Sequence, residues 1–439
     1  MANDKETGPP FGHAMRSHFQ YDPLYIPLNH GAFGTYPKIV RDRLRYFQDL
    51  SESRPDDFFR FKLAGLLDPA RGAIAEFLGV DAGECVFLPN ATTGINTVLR
   101  SLVFEKGDVI VYFSTIYGAC EKTVGYLKET TPVESVKIPL SYPLGDDEIV
   151  TKLQDKITAL KSEGRRARVA IFDTVSSLPG VRVPWERLVK VCREEDTLSL
   201  VDGAHGIGHI RLDLGQVQPD FFVSNCHKWL YVPRGCALFY VPEKNHHLIR
   251  SSIPTSHGYE PYPVEGQEQL FNPLPVNESS YFVNLFQFVG TMDIGPYLCM
   301  EEALKFRREI CGGEERILAY CEHISNEGGK KVADMLGTEI MENQDKTLTK
   351  CCMANVKLPL QIGEGSGQVK PSDAFAACAW MAQTLIREHN VFAPPFFHDG
   401  FLWIRFSGQI YVEMEDFVAA AVVYQELCRR VGEGEHIQR

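Results

Sequence analysis

The chain has no apolar run of about 18 residues, so no membrane-spanning helix is expected. Its start, MANDKETGPPFGHAM, lacks a basic segment followed by an apolar one. It reads as a polar, flexible leader and not as a secretion signal. Positive charge is in deficit: 45 Lys and Arg stand against 57 Asp and Glu, a formal net charge of -12. That balance argues against binding a nucleic-acid backbone. The 12 cysteines include no Cys-x-x-Cys pair, and the adjacent Cys351 and Cys352 suit neither a zinc knuckle nor an ordinary disulfide. Reduced thiols packed as small core residues, a cytoplasmic protein and no structural metal are the expectations. No internal repeat is present.

What is there is ordinary for a soluble globular enzyme: 44% apolar and 23% charged residues. The 439 residues exceed a typical domain of about 100–200 residues. An N-terminal arm over 1–36, a large domain over 37–290 and a smaller C-terminal domain over 291–439 are expected.

Short apolar runs alternate with helical patterns, and polar residues stand where the apolar runs end. Val86–Leu88 runs into Asn90-Ala91-Thr92-Thr93-Gly94, then a helix with Ile95, Val98 and Leu99 on one face. Ala91, Thr92 and Thr93 at a helix N-terminus make an anion cup, although threonine there is equally a plain helix cap. Asp108–Phe113 leads to Tyr117-Gly118, where an aromatic can stack on a flat ring; a core tyrosine is the simpler alternative. A helix over about 146–163 leads to the strand 168–173, ending at Asp173-Thr174-Val175-Ser176. A helix over 186–195 and a strand over 198–202 follow. This is an α/β pattern, with ligands expected at the carboxyl edge of the sheet.

The stretch Val201–Pro242 organises the rest. Asp202 ends an apolar run, His205 follows, and Lys228 stands in Ser224-Asn225-Cys226-His227-Lys228-Trp229 after the next run. A lysine and a carboxylate so placed suit a Schiff base with a pyridine cofactor. The lysine serves as anchor and base, and the carboxylate keeps the ring nitrogen protonated. A solvated lysine and a helix-capping aspartate are the plain alternatives.

Residues 27–37 read as a loop that could lay Asn29 and His30 near a site. A helix over 38–53, a helix start at Pro55-Asp56 and a helix over 64–78 are expected. Residues 243–280 are loop-rich, which points to function or an interface. Helices are expected over 296–310, 315–336, 372–388 and 412–431, with a glycine-rich surface linker over 361–371. Leu402–Ser407 alternates as a strand, and Arg405 within it is a natural clamp for a substrate carboxylate.

Together these pieces resemble the fold type I pyridoxal-phosphate (PLP) enzymes, and among them the class V aminotransferase-like family, over about residues 20–430. That resemblance implies a large domain with a mostly parallel seven-stranded sheet between helices and a smaller α/β C-terminal domain. It implies Lys228 as the cofactor lysine, Asp202 as the pyridinium partner and His205 against the phenolic oxygen. Ala91, Thr92, Thr93, Asn225 and His227 would hold the phosphate, Tyr117 would stack on the ring, and Asp173 and Ser176 would line the cofactor. Gly290 and Thr291 would reach the neighbouring subunit's phosphate site, which implies a homodimer with shared active sites. Arg405 would take the substrate carboxylate, with Asn29, His30, Arg54, Arg60, His257 and Tyr259 as candidates for specificity.

The landmarks LNHGAFGTYP, NATTGINTVLR, STIYGAC, DTVSSLPGV and SNCHKWL are similar to a fungal branch of the family. That branch includes C–S lyases of ergothioneine formation and a ring-forming enzyme of loline alkaloid formation. Asp-Gly-Ala-His at 202–205 and Lys137, where the lyases carry a cysteine, favour the ring-forming side. The implied reaction makes a Cα carbanion and closes a nitrogen heterocycle by Mannich-type C–C bond formation. The alternatives are cleavage of hercynylcysteine sulfoxide by a C–S lyase, and a PLP-binding protein without activity. A desulfurase would need a thiol before the clamp arginine, and no cysteine lies between Cys378 and Arg405.

Overall fold

A computed structural model describes residues 8–251, 253–257, 259–273, 279–365 and 367–437. The start of the leader and part of the 243–280 loop lie outside the described residues.

Seven strands build the main sheet: β1 (Cys85–Leu88), β2 (Asp108–Phe113), β3 (Glu134–Ile138), β4 (Arg166–Asp173), β5 (Leu198–Asp202), β6 (Phe221–Asn225) and β7 (Ala237–Tyr240). Their spatial order is β1-β7-β6-β5-β4-β2-β3. All neighbours run parallel except the two pairings of β7. Side chains alternate across the sheet, as a period of two demands. Val111, Phe172, Val201, Phe222 and Leu238 join the core on one face. Ile110, Ile171, Leu200, Val223 and Phe239 join the core on the other. A sheet buried on both faces needs such continuous apolar strands, and helices supply the cover.

A second sheet is antiparallel. Its centre is β10 (Phe401–Ser407), flanked by β8 (Met353–Lys357) and β9 (Pro395–His398). The helices Glu314–Leu336 and Met414–Gly432 pack together, and the first also lies against β8. The expected helices over 38–53, 64–78, 315–336, 372–388 and 412–431 are present within two residues of those bounds.

Two expectations change. The stretch 296–310 is not one helix; it breaks into Gly295–Leu298, Met300–Lys305 and a wider turn at Phe306–Ile310. Cys299 N–H bonds the carbonyl three residues back, at Pro296, which tightens the chain and ends the first piece. The loop 27–37 contains a short helix, His30–Phe33, preceded by a two-residue strand, Ile26–Pro27, paired with Val391–Phe392. Distant partners impose order that the local sequence does not encode.

Candidate active site

Strands β4, β5 and β6 end side by side, so their last residues meet. Asp173 and Asp202 are register partners at the ends of β4 and β5. Both are buried. Asp202 Oδ1 accepts from Ala204 N at 2.9 Å, and Oδ2 accepts from Cys120 Sγ at 3.3 Å. Burial raises both carboxyls. Asp173 is raised well above the usual carboxylate range, by burial and then by the charge on Asp202. The donors around Asp202 favour placing the pair's single negative charge there.

Strand β6 delivers the chain into a one-turn helix, Cys226–Trp229, that carries Lys228. Lys228 Nζ lies 3.0 Å from His205 Nε2. Burial pulls the lysine down to about 8, while Asp202 and Asp173 oppose that shift. Near pH 7 an appreciable fraction of such an amine is uncharged and nucleophilic. His205 is held uncharged by burial, with Lys228 and Arg405 adding to the shift. Gly34 of the arm seats directly on this turn: a Cβ there would lie 1.8 Å from His227 O. Its φ of 63° also favours glycine.

The helix start expected at Ala91–Thr93 is present, and it is capped. Asn90 caps the helix Ala91–Ser101 by accepting from Thr93 N at 2.9 Å, and also takes the Thr93 hydroxyl. Asn225 Oδ1 accepts from Ala91 N at 2.9 Å, tying this helix start to the lysine turn. His227 donates from Nδ1 to Cys236 O at 3.0 Å, which leaves Nε2 as its other polar atom.

Arg405 is buried on β10. Its Nη1 donates to Ser177 O and its Nη2 to Asn29 Oδ1, each at 2.6 Å. Its Nε has no partner. No carboxylate is paired with this buried guanidinium among the described ion pairs, and burial lowers it to about 10. A buried cation with an unfilled donor is poised for an anionic ligand. Asn355 grips the neighbouring turn, accepting from Gly180 N and donating to Gly180 O, both at 2.9 Å.

Among the other sequence candidates, His30 stays beside this centre, its ring 5.2 Å from that of Trp229. His30 is buried, with Nδ1 2.6 Å from the Tyr411 hydroxyl. The Ser176 hydroxyl donates to Pro179 O at 2.6 Å and is committed to its own turn. Tyr117 is half-exposed at the start of Gly118–Thr130, the helix that carries Cys120. It is therefore not a core tyrosine. Arg60, His257 and Thr291 line a surface pocket of about 450 Å³ with Phe59 and Phe288, apart from Lys228. Arg54 is exposed beside Asp57, Tyr259 packs near Arg250, and Gly290 adjoins Thr291 with a φ of 121°. Lys137 is half-exposed on β3 and paired with Glu121, so it offers no test of reaction type.

Sequence reasoning missed Cys120, Trp229, His209 and Asn355, whose partners are remote in the chain. All 12 cysteines are free and buried. No helix among the described residues is long and apolar enough to cross a membrane.

The donor set fits pyridoxal phosphate: a buried amine of lowered basicity, a carboxylate with remaining acceptor capacity and an amide-lined helix end for a phosphate. The class-V aminotransferase model matches residues 54–357. The L-cysteine desulfhydrase-like protein lolT1 of Epichloe uncinata is 36% identical, over 96% of this chain and 97% of that protein. Hercynylcysteine sulfoxide lyase of Schizosaccharomyces pombe is 31% identical, over 95% and 98%. Among solved structures, a C-DES mutant with glycine linked to PLP superposes with a TM-score of 0.73 at 17% identity, covering 94% of this chain and 98% of that one. The chain belongs to the class-V aminotransferase family and is a PLP-dependent enzyme of fold type I.

Proposed function

We propose that the protein takes an α-amino acid by its carboxylate at Arg405, removes the Cα proton through Lys228, and closes a nitrogen heterocycle by Mannich-type C–C bond formation. The observation that carries the first half is the buried Arg405 fork with its free Nε, together with a lysine of lowered basicity. Bound pyridoxal phosphate supplies the electron sink that makes a Cα proton removable. Asp202 keeps the ring nitrogen protonated, and Asp173 stays uncharged beside it. Ala91, Thr92, Thr93, Asn225 and His227 hold the phosphate, and Tyr117 covers the ring. Asn29 orients the clamp.

Ring closure rests on the resemblance to the ring-forming fungal branch alone; the 36% identity to the L-cysteine desulfhydrase-like protein lolT1 supports only the shared PLP chemistry. In it, the carbanion attacks an iminium carbon on the same substrate. A second reading, C–S cleavage, is favoured by the identity of 31% to hercynylcysteine sulfoxide lyase. There the same electron pair expels sulfur from Cβ, and the resulting aminoacrylate hydrolyses to pyruvate and ammonia.

Gly290, Thr291 and the outer pocket with Arg60 and His257 suit a neighbouring subunit's site, so a homodimer is part of the proposal. Arg54 and Tyr259 would act on substrate from the same side.

The test is pyruvate release by the PLP-loaded protein given hercynylcysteine sulfoxide. Rapid pyruvate with the matching sulfenic acid, which added thiol then reduces to the thiol, overturns ring closure. No pyruvate, with solvent deuterium still entering Cα of an amino-acid substrate, supports it.

A further inference from the structure

Three hydrogen bonds behind Lys228 each have only one possible direction, and together they set the direction of a fourth. The Cys352 backbone N–H donates to His209 Nε2 at 2.9 Å. His209 must then carry its proton on Nδ1, which donates to the His205 carbonyl at 2.8 Å. The Trp229 indole has a donor and no acceptor, and it donates to His205 Nδ1 at 3.2 Å. His205 Nδ1 is therefore bare, and the neutral ring carries its proton on Nε2, the nitrogen 3.0 Å from Lys228 Nζ.

The support is rigid. Trp229 and His209 stack with centroids 3.9 Å apart and planes 9° from parallel. His30 packs on Trp229 at 5.2 Å. All four side chains are buried, so water does not compete for these donors.

We propose that Trp229 is a positioning residue that fixes His205 as the Nε2–H tautomer, so that His205 acts at Lys228 and the cofactor as a hydrogen-bond donor and not as a base. Before cofactor is bound, the donor direction requires Lys228 to accept, which selects its neutral, nucleophilic amine. With the cofactor in place, the same N–H is the donor for an anionic oxygen beside the lysine. The assignment of the Nε2 neighbour as cofactor rests on the PLP reading, whereas the tautomer rests only on the geometry.

The test is the nitrogen-15 NMR spectrum of the PLP-loaded enzyme labelled at histidine, with His205→Gln to assign the resonance. The expected result is a protonated Nε2 and a bare Nδ1 at His205. Trp229→Phe keeps a ring against His209 and removes the N–H. It is expected to admit the second tautomer and to lower kcat for Cα–deuterium exchange about 10-fold, with KM changed less than about twofold, the scale of one hydrogen bond. A merely structural role would move thermal stability and leave the tautomer as it was.

A wild-type His205 with its proton on Nδ1 overturns the proposal, and so does a Trp229→Phe enzyme with unchanged tautomer and rate. The wild-type spectrum decides even if the variant fails to fold. Borohydride reduction and mass spectrometry of the same sample report separately whether Lys228 carries the cofactor.

Discussion

Asp173 and Asp202 face each other as register partners at the ends of adjacent parallel strands, both buried and within reach of one lysine. Two carboxyls so close do not both ionise. Cys120 and Ala204 donate to Asp202, while Asp173 has its own backbone amide as donor and its carboxyl is raised further. The sheet thus separates two identical groups into one charged and one neutral role.

Asp173→Asn should keep turnover within about threefold, because the amide resembles the neutral acid. A raised folded value means that Asp173 favours folding at low pH and loses that contribution as pH rises through it. In the cofactor-free protein, the variant's melting temperature should gain progressively on the wild type as pH rises above the ordinary carboxylate range. Parallel melting curves above that range would contradict the raised acid.

Lys228→Ala should remove covalent cofactor attachment and the long-wavelength absorbance that accompanies it. Turnover should fall about 1,000-fold or more, since anchor and proton acceptor are lost together. Normal turnover in that variant would sink the assignment of the site.

Arg405→Lys keeps a positive charge but loses the planar fork. KM for substrates with a free α-carboxylate should rise about 10- to 100-fold, while cofactor absorbance stays intact. Steady-state kinetics with an amino acid and its amide checks this, because the amide should lose little.

Gly180→Ala attacks the clamp from behind. A Cβ there would sit 2.7 Å from Arg405 Cδ and 3.1 Å from Met353 Sδ. The guanidinium must shift, so KM should rise about 10-fold, with a stability cost of about 1–3 kcal/mol from overpacking. An unchanged KM would show that the clamp tolerates the displacement.

Lys228, Asp202 and Arg405 were legible because each stands at a strand end or inside an alternating run, where an apolar pattern makes a charge conspicuous. The helix start at Ala91–Thr93 was legible through its small hydroxyl residues after an apolar run, although its cap, Asn90, was not singled out, and the sheet was legible through its β-branched runs. Trp229 was not, because a tryptophan beside apolar residues reads as core until His205 is seen across from it. Cys120 reaches Asp202 only once its helix folds over the sheet, and Asn355 reaches Gly180 only once β8 lies beside that turn. Lys137 stays undecided, because its solvent-facing ion pair with Glu121 neither supports nor opposes the chemical distinction drawn from that one position.

Asn29 holds the Arg405 guanidinium through one side-chain oxygen, from an arm that also rides on Val391–Phe392 and Ser407 and seats Gly34 on the lysine turn. Lys228 stands on the one-turn helix that this arm touches, and Asp202 at the end of a main-sheet strand. Exchange of this leading segment would therefore reach the lysine turn and the guanidinium together, so that substrate preference and the setting of Lys228 change as one.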